Sequence, residues 1–356
     1  DRNLVVIGAG SAGLVTSYIA AAVKAKVSLI EKHKMGGDCL NTGCVPSKAL
    51  IRSAKMSNYL DRAGEFGLSL ADKQINFARV MERVQSVVKK VEPHDSVERY
   101  SDLGVDCIQG EATILDPFRV QVGERVLSTR NIVIATGARP FVPPIPGVEN
   151  IEYFTSDTIW NLRERPQSLL ILGGGPIGCE LSQSFQRLGV QVKQMDMAPR
   201  LMPREDKDVS AVVEARFKSE GIELLLGHTA KEFKVMGDGR KVLISEHQGE
   251  TVTTEFDALL LAVGRKANTD NLGLDNIGLE TNPNGTLKVN EYMQTDFPNI
   301  YAAGDIAGPY QFTHTAAHQA WYAAVNGLFG SFKKFKADYR VIPWAPFTDP
   351  EGARVG

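Results

Sequence analysis

Two cysteines in a glycine-rich segment are the residues of this sequence best suited to chemistry. Cys39 and Cys44 lie in the run Gly36–Lys48, which reads GGDCLNTGCVPSK. In a regular helix, residues five positions apart are separated by about 7.5 Å along the axis and lie on different faces. A disulfide needs Cα atoms within about 7 Å of each other. The backbone between the two cysteines must therefore be distorted if their sulfurs are to bond.

A helix that begins beside the second cysteine would favour its thiolate form. Pro46 is acceptable only in the first turn of a helix, so Cys44 is predicted to lie at or near a helix N-terminus. Lys48 follows one turn later on the same face and adds positive charge. A metal site is the first alternative, but the sequence has no CxxC pair and no second Cys/His cluster, so no metal is predicted. A purely structural disulfide is the second alternative, and the lysine and glycines around the pair disfavour it.

Two copies of a glycine motif predict two nucleotide sites. Each copy follows an apolar strand and opens a helix, and an acidic residue, Glu31 or Asp196, stands 23 residues after its first glycine. The first glycine allows a tight turn, the second lets a pyrophosphate approach the backbone, and the third lets helix and strand pack closely. The helix N-terminus then presents free N–H groups to the phosphates. The motif glycines are Gly8, Gly10, Gly13, Gly173, Gly175 and Gly178.

The acid that closes each motif predicts which nucleotide binds there. A carboxylate at the end of the second strand can accept hydrogen bonds from ribose hydroxyls, whereas it would repel a 2′-phosphate. Both sites are therefore predicted to prefer an unphosphorylated adenosine ribose.

The elements that must position these motifs form a repeated strand–helix–strand unit. The predicted strands cover residues 4–7, 27–30, 169–172 and 190–195, and the predicted helices run to about Ala22 and Leu188. A proline-rich linker is predicted at 140–146 and a second junction at 265–270. A late strand at 299–305 ends in Gly-Asp, and a helix is predicted from about 313 to 328. The pattern indicates an α/β fold with two Rossmann-like dinucleotide-binding domains.

Composition excludes several other classes of protein. The 356 residues suggest two or three domains, and a formal net charge of −2 disfavours a nucleic-acid surface or a polybasic membrane anchor. No run of about 18 apolar residues is present, so a cytoplasmic location is expected. Cys107 and Cys179 stand alone and are predicted to be small buried side chains.

The run Gly36–Lys48 resembles the active-site signature of the pyridine nucleotide–disulfide oxidoreductases, a family that includes lipoamide dehydrogenase, mercuric reductase and glutathione reductase. The other motifs follow in a similar order along the whole chain. The resemblance implies catalytic roles for Cys39, Cys44, Lys48 and Glu180. It implies that FAD is bound by Gly8, Gly10, Gly13, Glu31, Gly37, Lys48, Thr136, Gly137, Gly304, Asp305 and Ala316. It implies that NAD(H) is bound by Gly173, Gly175, Gly178, Asp196 and Gly264.

The same resemblance implies the roles of these residues and the domain boundaries. Cys44 would face the flavin, Cys39 would exchange with substrate, and Lys48 would pair with Glu180. Side-chain roles for His314 and His318 are not expected. The implied domains are an FAD-binding domain at 1–148 and 268–337, an NAD(H)-binding domain inserted at 149–267, and the start of an interface domain at 338–356.

The implied function is an FAD-dependent oxidoreductase that passes electrons between NAD(H), FAD and the Cys39–Cys44 disulfide. It is most like dihydrolipoamide dehydrogenase, with a small-molecule or protein-bound dithiol or disulfide as substrate. A mercuric-reductase-like enzyme that acts on a metal ion, a non-catalytic flavin-binding protein, and a flavin reductase or oxidase without disulfide chemistry are the alternatives. Asp38 departs from the threonine usual in the family, and Asp196 disfavours an NADPH-dependent glutathione reductase.

The end of the sequence suggests a missing part of the site. Residues 347–351 resemble the opening of the family's interface domain, which carries a catalytic His–Glu pair that serves the partner subunit. The full-length protein is therefore expected to be a homodimer, and the chain by itself is expected to reduce flavin with NADH but to turn over little dithiol.

Overall fold

The computed structural model describes residues 1–69 and 72–355, in which strands and helices alternate through two similar units. The strands of the first part of the chain are β1 (Arg2–Ile7), β2 (Val27–Glu31), β3 (Asp106–Gln109), β4 (Ala112–Asp116), β5 (Arg119–Val122), β6 (Arg125–Ile134), β7 (Ala138–Pro140), β8 (Phe154–Thr155) and β9 (Ser168–Leu172). The later strands are β10 (Gln191–Asp196), β11 (Glu223–Leu226), β12 (Thr229–Val235), β13 (Lys241–His247), β14 (Glu250–Phe256), β15 (Ala258–Leu261), β16 (Arg265–Ala267), β17 (Ile300–Ala302), β18 (Pro343–Trp344) and β19 (Arg354–Val355).

The α-helices lie between these strands. They are α1 (Ser11–Ala22), α2 (Gly37–Asn41), α3 (Cys44–Asp61), α4 (Phe77–Val91), α5 (Val97–Asp102), α6 (Pro176–Arg187), α7 (Lys207–Ser219) and α8 (Thr313–Phe329). Short 3₁₀ helices occur at Ala63–Phe66, Glu92–Asp95, Val148–Asn150, Ile159–Asn161 and Asp275–Ile277.

The first unit is built on a parallel sheet with the order β3-β2-β1-β6-β17. Its central strand β1 is buried over Leu4–Ile7, which explains the continuous apolar run at this point of the sequence. Strands β4 and β5 extend the N-terminal half of β6 as an antiparallel hairpin. Helices α1 and α8 pack on each other, so the motif helix and the late helix lie together.

The second unit repeats this plan with the order β11-β10-β9-β15-β8, in which all neighbouring strands are parallel. An antiparallel meander, β12-β13-β14, precedes β15 just as β4 and β5 precede β6. Alternate residues of β9 bury into opposite layers: Leu169 and Ile171 face the helix layer, and Leu170 and Leu172 face the layer that includes the meander. The predicted pair of Rossmann-like units is confirmed.

Two places where the chain passes between the units form a small ribbon. Strand β7 pairs antiparallel with β16, so Ala138 lies opposite Ala267 and Pro140 opposite Arg265. Pro140 is the first residue of the predicted proline-rich linker, and Arg265 is the first residue of the predicted second junction. The outward and return crossings are thus hydrogen-bonded to each other.

Helices α3 and α4 of the first unit share a core with α6 of the second unit. Leu50 of α3, Met81 of α4 and Leu181 of α6 are fully buried or nearly so in one apolar cluster. Phe77 and Phe185 place their ring centroids 6.2 Å apart in the same cluster. This packing fixes α3, which begins at Cys44, against α6, which begins at the second glycine motif. Among the described residues, no helix is both long enough and apolar enough to cross a membrane.

Candidate functional site

The two cysteines lie on either side of a break between two helices. Helix α2 ends at Asn41, α3 begins at Cys44, and Gly43 between them has φ −111° and ψ −106°. A Cβ atom on Gly43 would lie 2.9 Å from the Asp38 carbonyl oxygen, so the turn needs glycine. The Asn41 side-chain amide donates to the Gly37 carbonyl at 2.9 Å and holds the turn in shape. The predicted distortion and the predicted helix start at Cys44 are both confirmed.

Both cysteines are half-buried free thiols in this structure, and their environments differ. A hydrogen bond from Cys39, with help from the Thr313 hydroxyl and the Lys48 charge, lowers the pKa of Cys44 to about 6 against the opposing effect of burial. The Cys44 sulfur lies 3.3 Å from Thr313 Oγ1. The hydrogen bond to Cys44, followed by burial, raises the pKa of Cys39. Ionisation of Cys44 is therefore favoured over ionisation of Cys39 in the reduced pair.

An ion pair joins helix α3 to the second unit. Lys48 Nζ donates to Glu180 Oε2 at 2.9 Å, and the Glu180 side chain is only 8% exposed. Lys48 lies one turn after Cys44 on α3, whereas Glu180 lies in the second turn of α6. The contact implied by the family resemblance is thus present.

The first glycine motif forms a tight crossing between β1 and α1. Gly8 has φ +101°, and a Cβ atom on Gly13 would lie 1.8 Å from the Gly8 carbonyl oxygen. Glu31 closes the loop, because its carboxylate accepts from the backbone N–H of Ala9 at 2.7 Å and of His33 at 2.8 Å. These contacts place the acid beside the loop, as a ribose-binding carboxylate requires.

The second motif reproduces these contacts. Gly173 has φ +121°, and a Cβ atom on Gly178 would lie 2.1 Å from the Gly173 carbonyl oxygen. The Asp196 carboxylate accepts from the backbone N–H of Gly174 and, at 2.7 Å, from that of Ala198. The repeat therefore extends to individual hydrogen bonds.

Both loops fit a dinucleotide pyrophosphate. A Cβ atom on Gly10 would meet only Gly37 Cα at 3.8 Å, and one on Gly175 would meet nothing within 4 Å, so the backbone is open at the second glycine of each motif. Among the described residues, no side chain caps the N-terminus of α1 or α6. The N–H groups of the first turn of α1, and those that follow Pro176 in the first turn of α6, can therefore donate to a phosphate.

The remaining predicted cofactor residues gather near the first motif and the crossing ribbon. Gly304 follows β17 with φ +86°, and a Cβ atom there would lie 3.3 Å from Ala12 Cβ and 3.4 Å from Ala316 Cβ. Asp305 follows it, and burial raises the pKa of its carboxyl group against the effect of Arg265. Thr136 donates to the Asn268 carbonyl at 2.8 Å. The left-handed glycines Gly137 and Gly264 flank the ribbon strands.

Three further residues contact the site, and the sequence predicted no site role for them. Arg265 contacts Asp38, which precedes Cys39 in α2, and lies 3.4 Å from Asp305. Thr313 contacts Cys44, and Phe347 contacts the Lys48–Glu180 pair. Each lies far along the chain from its partner, so a sequence signal could have come only from the family's ordered motifs.

The other candidate groups lie apart from this arrangement. His318 Nε2 lies 2.9 Å from the Asp338 carbonyl, and the exposed His314 stacks on Phe312. Cys179 is fully buried as predicted, whereas Cys107 is only partly buried, which corrects the prediction for that residue. Within residues 1–69 and 72–355, no three His, Cys, Asp or Glu side chains converge as a metal site.

Comparison with known proteins identifies the family. Residues 2–320 match the family described as pyridine nucleotide-disulphide oxidoreductase, and the chain belongs to it. The family assignment confirms the predicted fold and the predicted cofactors, FAD and NAD(H).

Relatives with two different names are about equally similar. The chain is 34% identical over 356 residues to a mercuric reductase of Staphylococcus aureus, covering 100% of this chain and 64% of that protein. It is 34% identical over 371 residues to a dihydrolipoyl dehydrogenase of Bacillus subtilis, covering 100% and 77%. The chain spans less than two thirds of the S. aureus protein and of a second mercuric reductase, from Lysinibacillus sphaericus, of which it covers 65%.

A solved structure shares the fold over the whole chain. It is the Cu(II) complex of the HOCl-induced flavoprotein disulfide reductase RclA from Escherichia coli. The TM-score is 0.87 at 29% sequence identity, and the match covers 100% of this chain and 77% of that one.

Proposed function

We propose that this chain carries the nucleotide-binding and disulfide-containing part of an enzyme that passes electrons between NAD(H), FAD and the Cys39–Cys44 pair. The observation that carries the proposal is the position of Cys44. Its sulfur lies at the N-terminus of α3, and the charge of Lys48 one turn later favours its thiolate. Lys48 in turn is paired with Glu180 from the helix of the second motif.

The residues fall into three groups by what they would hold. FAD would lie on the first motif, with Glu31 at the ribose, Asp305 and Gly304 along the chain of the cofactor, and Gly37, Lys48, Thr136, Gly137 and Ala316 around it. NAD(H) would lie on the second motif, with Asp196 at the ribose. Gly264, which directly precedes β16, would also contact it. When bound, FAD supplies a two-electron carrier between the nicotinamide and the disulfide.

The side chains of the chain itself then act on protons and charge. Opening the Cys39–Cys44 disulfide takes two electrons and, at neutral pH, one proton, because Cys44 stays a thiolate and Cys39 takes up the proton. Cys39 is then the sulfur that exchanges with a substrate once it loses that proton to a base. Lys48 stabilises negative charge at Cys44, and Glu180 holds Lys48 in place.

Two classes of final substrate are compatible with this proposed electron transfer. A dithiol or disulfide, as the name dihydrolipoyl dehydrogenase indicates for one group of relatives, is the leading substrate class. A metal ion, as the name mercuric reductase indicates for the other, is the second candidate, and the equal sequence identity favours keeping it. A homodimer and a base from the partner subunit remain predictions for the full-length protein.

Counting thiols tests the proposal directly. FAD-loaded protein is treated under nitrogen with NADH, and accessible thiols are titrated before and after. The oxidised parent should gain two thiols per chain, whereas the Cys44→Ser variant should gain none. Flavin reduction without new thiols in the parent would refute disulfide chemistry. Turnover of the full-length protein with dihydrolipoamide and with Hg²⁺ then separates the two substrate classes.

A further inference from the structure

The segment Phe347–Glu351, here called the C-terminal strap, lies across the junction of the two units. Phe347 meets the Lys48–Glu180 pair, Asp349 meets α6, and Glu351 meets α3. The strap therefore touches both helices that carry the ion pair.

The first contact satisfies the second oxygen of Glu180. The Phe347 backbone N–H donates to Glu180 Oε1 at 3.0 Å, while Lys48 Nζ donates to Oε2 at 2.9 Å. The Lys48 nitrogen also lies 4.4 Å from the centroid of the Phe347 ring, within cation–π range. One residue of the strap thus contacts both the anion and the cation of the pair. Because Glu180 is buried, the loss of either donor would leave a carboxylate oxygen poorly satisfied.

The second contact fixes the strap on α6. Gln183 donates to the Asp349 carbonyl at 2.8 Å and accepts from the Asp349 N–H at 2.8 Å, so its amide holds the strap backbone on both sides. Arg187, whose side chain is 5% exposed, donates to the Asp349 carboxylate at 2.8 Å. Glu180, Gln183 and Arg187 are spaced three and four residues apart, so they line one face of α6.

The ends of the strap are held as well. Lys55, two turns after Lys48 on α3, donates to Glu351 at 2.6 Å. Upstream of the strap, Trp344 Nε1 donates to Glu205 at 2.8 Å. Thr348 inside the strap is fully buried. The strap is thus packed against the junction. Contacts of Asp349, Glu351 and Thr348, none of which involves Lys48 or Glu180, help to set its position.

We infer that Phe347 is a positioning residue for the Lys48–Glu180 pair, and that the Gln183 amide aligns the strap so that Phe347 can fill this role. The inference rests on the proposed function, in which this pair supports electron transfer from NADH. The strap would orient the pair through one N–H and one aromatic face.

Two substitutions separate the two contacts. Phe347→Leu keeps the backbone N–H and removes the aromatic face, whereas Gln183→Met keeps the ring and releases the strap backbone from α6. Phe347→Tyr is the conservative variant that retains the ring. Phe332→Leu is the matched control, because Phe332 is 89% exposed and lies away from the pair.

The first readout is stopped-flow reduction of the FAD-loaded protein by NADH. We expect the limiting rate to fall about tenfold in Phe347→Leu and in Gln183→Met, the scale of one lost cation–π or charged hydrogen bond. The NADH concentration at half-saturation should change less than about twofold, because the glycines of the second motif and Asp196 are unchanged. The double variant should have about the same limiting rate as the slower of the two single variants. Both substitutions act on the same contact between the strap and the ion pair, so their effects should not add. Phe347→Tyr and Phe332→Leu should match the parent.

The second readout does not need activity. In protein labelled with [ε-¹³C]lysine, the Lys48 signal, assigned by its loss in Lys48→Arg, should carry the upfield shift of a proton held over a ring. Phe347→Leu and Gln183→Met should both move it downfield. If Gln183→Met leaves both the Lys48 signal and the reduction rate unchanged, the strap does not position the pair. A parent that NADH fails to reduce would overturn the proposed function, and the Lys48 signal would still decide the role of the strap.

Discussion

Arg265 of β16 and Asp38 of α2 form an ion pair. Arg265 begins β16, and Asp38 immediately precedes Cys39. The same guanidinium donates to the Ala138 carbonyl at 2.6 Å and lies 3.4 Å from the Asp305 carboxylate. The Arg265 side chain is only 15% exposed. The departure from the family's usual threonine thus has a structural role, because Asp38 ties α2, which contains Cys39, to the ribbon of β7 and β16.

Removing the charge of Asp38 should destabilise the apo protein. Asp38→Asn leaves the largely buried Arg265 with a weaker partner, so we expect the free energy of unfolding to fall by about 1–2 kcal/mol. Urea unfolding without added cofactor measures the change. Asp238→Asn is the control, because Asp238 pairs with Arg240 on the exposed surface, where such a pair contributes about 0–1 kcal/mol. Equal losses of unfolding free energy in the two variants would show that the Asp38–Arg265 pair stabilises the protein no more than an exposed ion pair does.

The reduced Cys44 should ionise well below the usual range of a thiol. The pKa of Cys44 is lowered from 9.0 to about 6, so thiolate absorbance near 240 nm should rise as the pH increases through about 6. Lys48→Met should move this midpoint upward, because it removes a charge that favours the thiolate. Cys44→Ser should abolish the transition. A first thiolate that appears only above pH 8 in the parent would contradict the arrangement.

The same shift sets the pH dependence of stability in the reduced protein. Because the folded-state pKa of Cys44 lies below its ordinary value, its contribution to stability is present above pH 9.0 and is lost as the pH falls through about 6. The raised pKa of Cys39 acts in the opposite sense, and its contribution is lost at high pH. Urea unfolding of the reduced protein should therefore show stability that increases between about pH 6 and 9. Cys44→Ser should remove this increase.

Two glycines of the second motif should respond differently to alanine. Gly178→Ala places a Cβ atom 2.1 Å from a carbonyl oxygen, so the unfolding free energy should fall by about 1–3 kcal/mol or more. Gly175→Ala meets nothing within 4 Å, so the unfolding free energy should fall by about 1 kcal/mol or less.

The methyl group added by Gly175→Ala lies where a pyrophosphate would approach, so NADH binding should weaken about tenfold or more. Thermal unfolding and NADH titration measure the two effects. Loss of FAD with normal NADH binding in Gly175→Ala would mean that the two motifs are assigned to the wrong cofactors.

Asp196 should make NADH the preferred reductant. Its carboxylate can accept from a ribose hydroxyl and would repel a 2′-phosphate. Asp196→Asn removes the charge, and it keeps an acceptor for only one of the Gly174 and Ala198 N–H groups, because Asp196 accepts from them with different oxygens. The ratio of reduction rates with NADH and NADPH should therefore fall about tenfold in this variant, equivalent to about 1.4 kcal/mol. Stopped-flow reduction with each nucleotide measures the ratio. Reduction of the parent by NADPH at an equal or higher rate would contradict this role of Asp196.

The sequence by itself determined the local units. Each glycine motif, with its strands, helix and closing acid, lies within about 30 residues, so hydrophobic runs and glycines suffice to predict it. The start of α3 at Cys44 was predictable for the same reason, because Pro46 restricts the backbone beside it. The link between Lys48 and Glu180 came only from the family resemblance, since neither residue type nor spacing relates two positions on different helices.

Only the tertiary structure decided how the units meet. The contacts of Thr313 with Cys44, of Arg265 with Asp38 and of Phe347 with Glu180 join residues that are 269, 227 and 167 positions apart. Such contacts depend on how α3 packs against α6 and on how the crossing ribbon holds the two sheets. Periodicity and local propensity describe which face of an element is buried, but they do not specify which distant element covers that face.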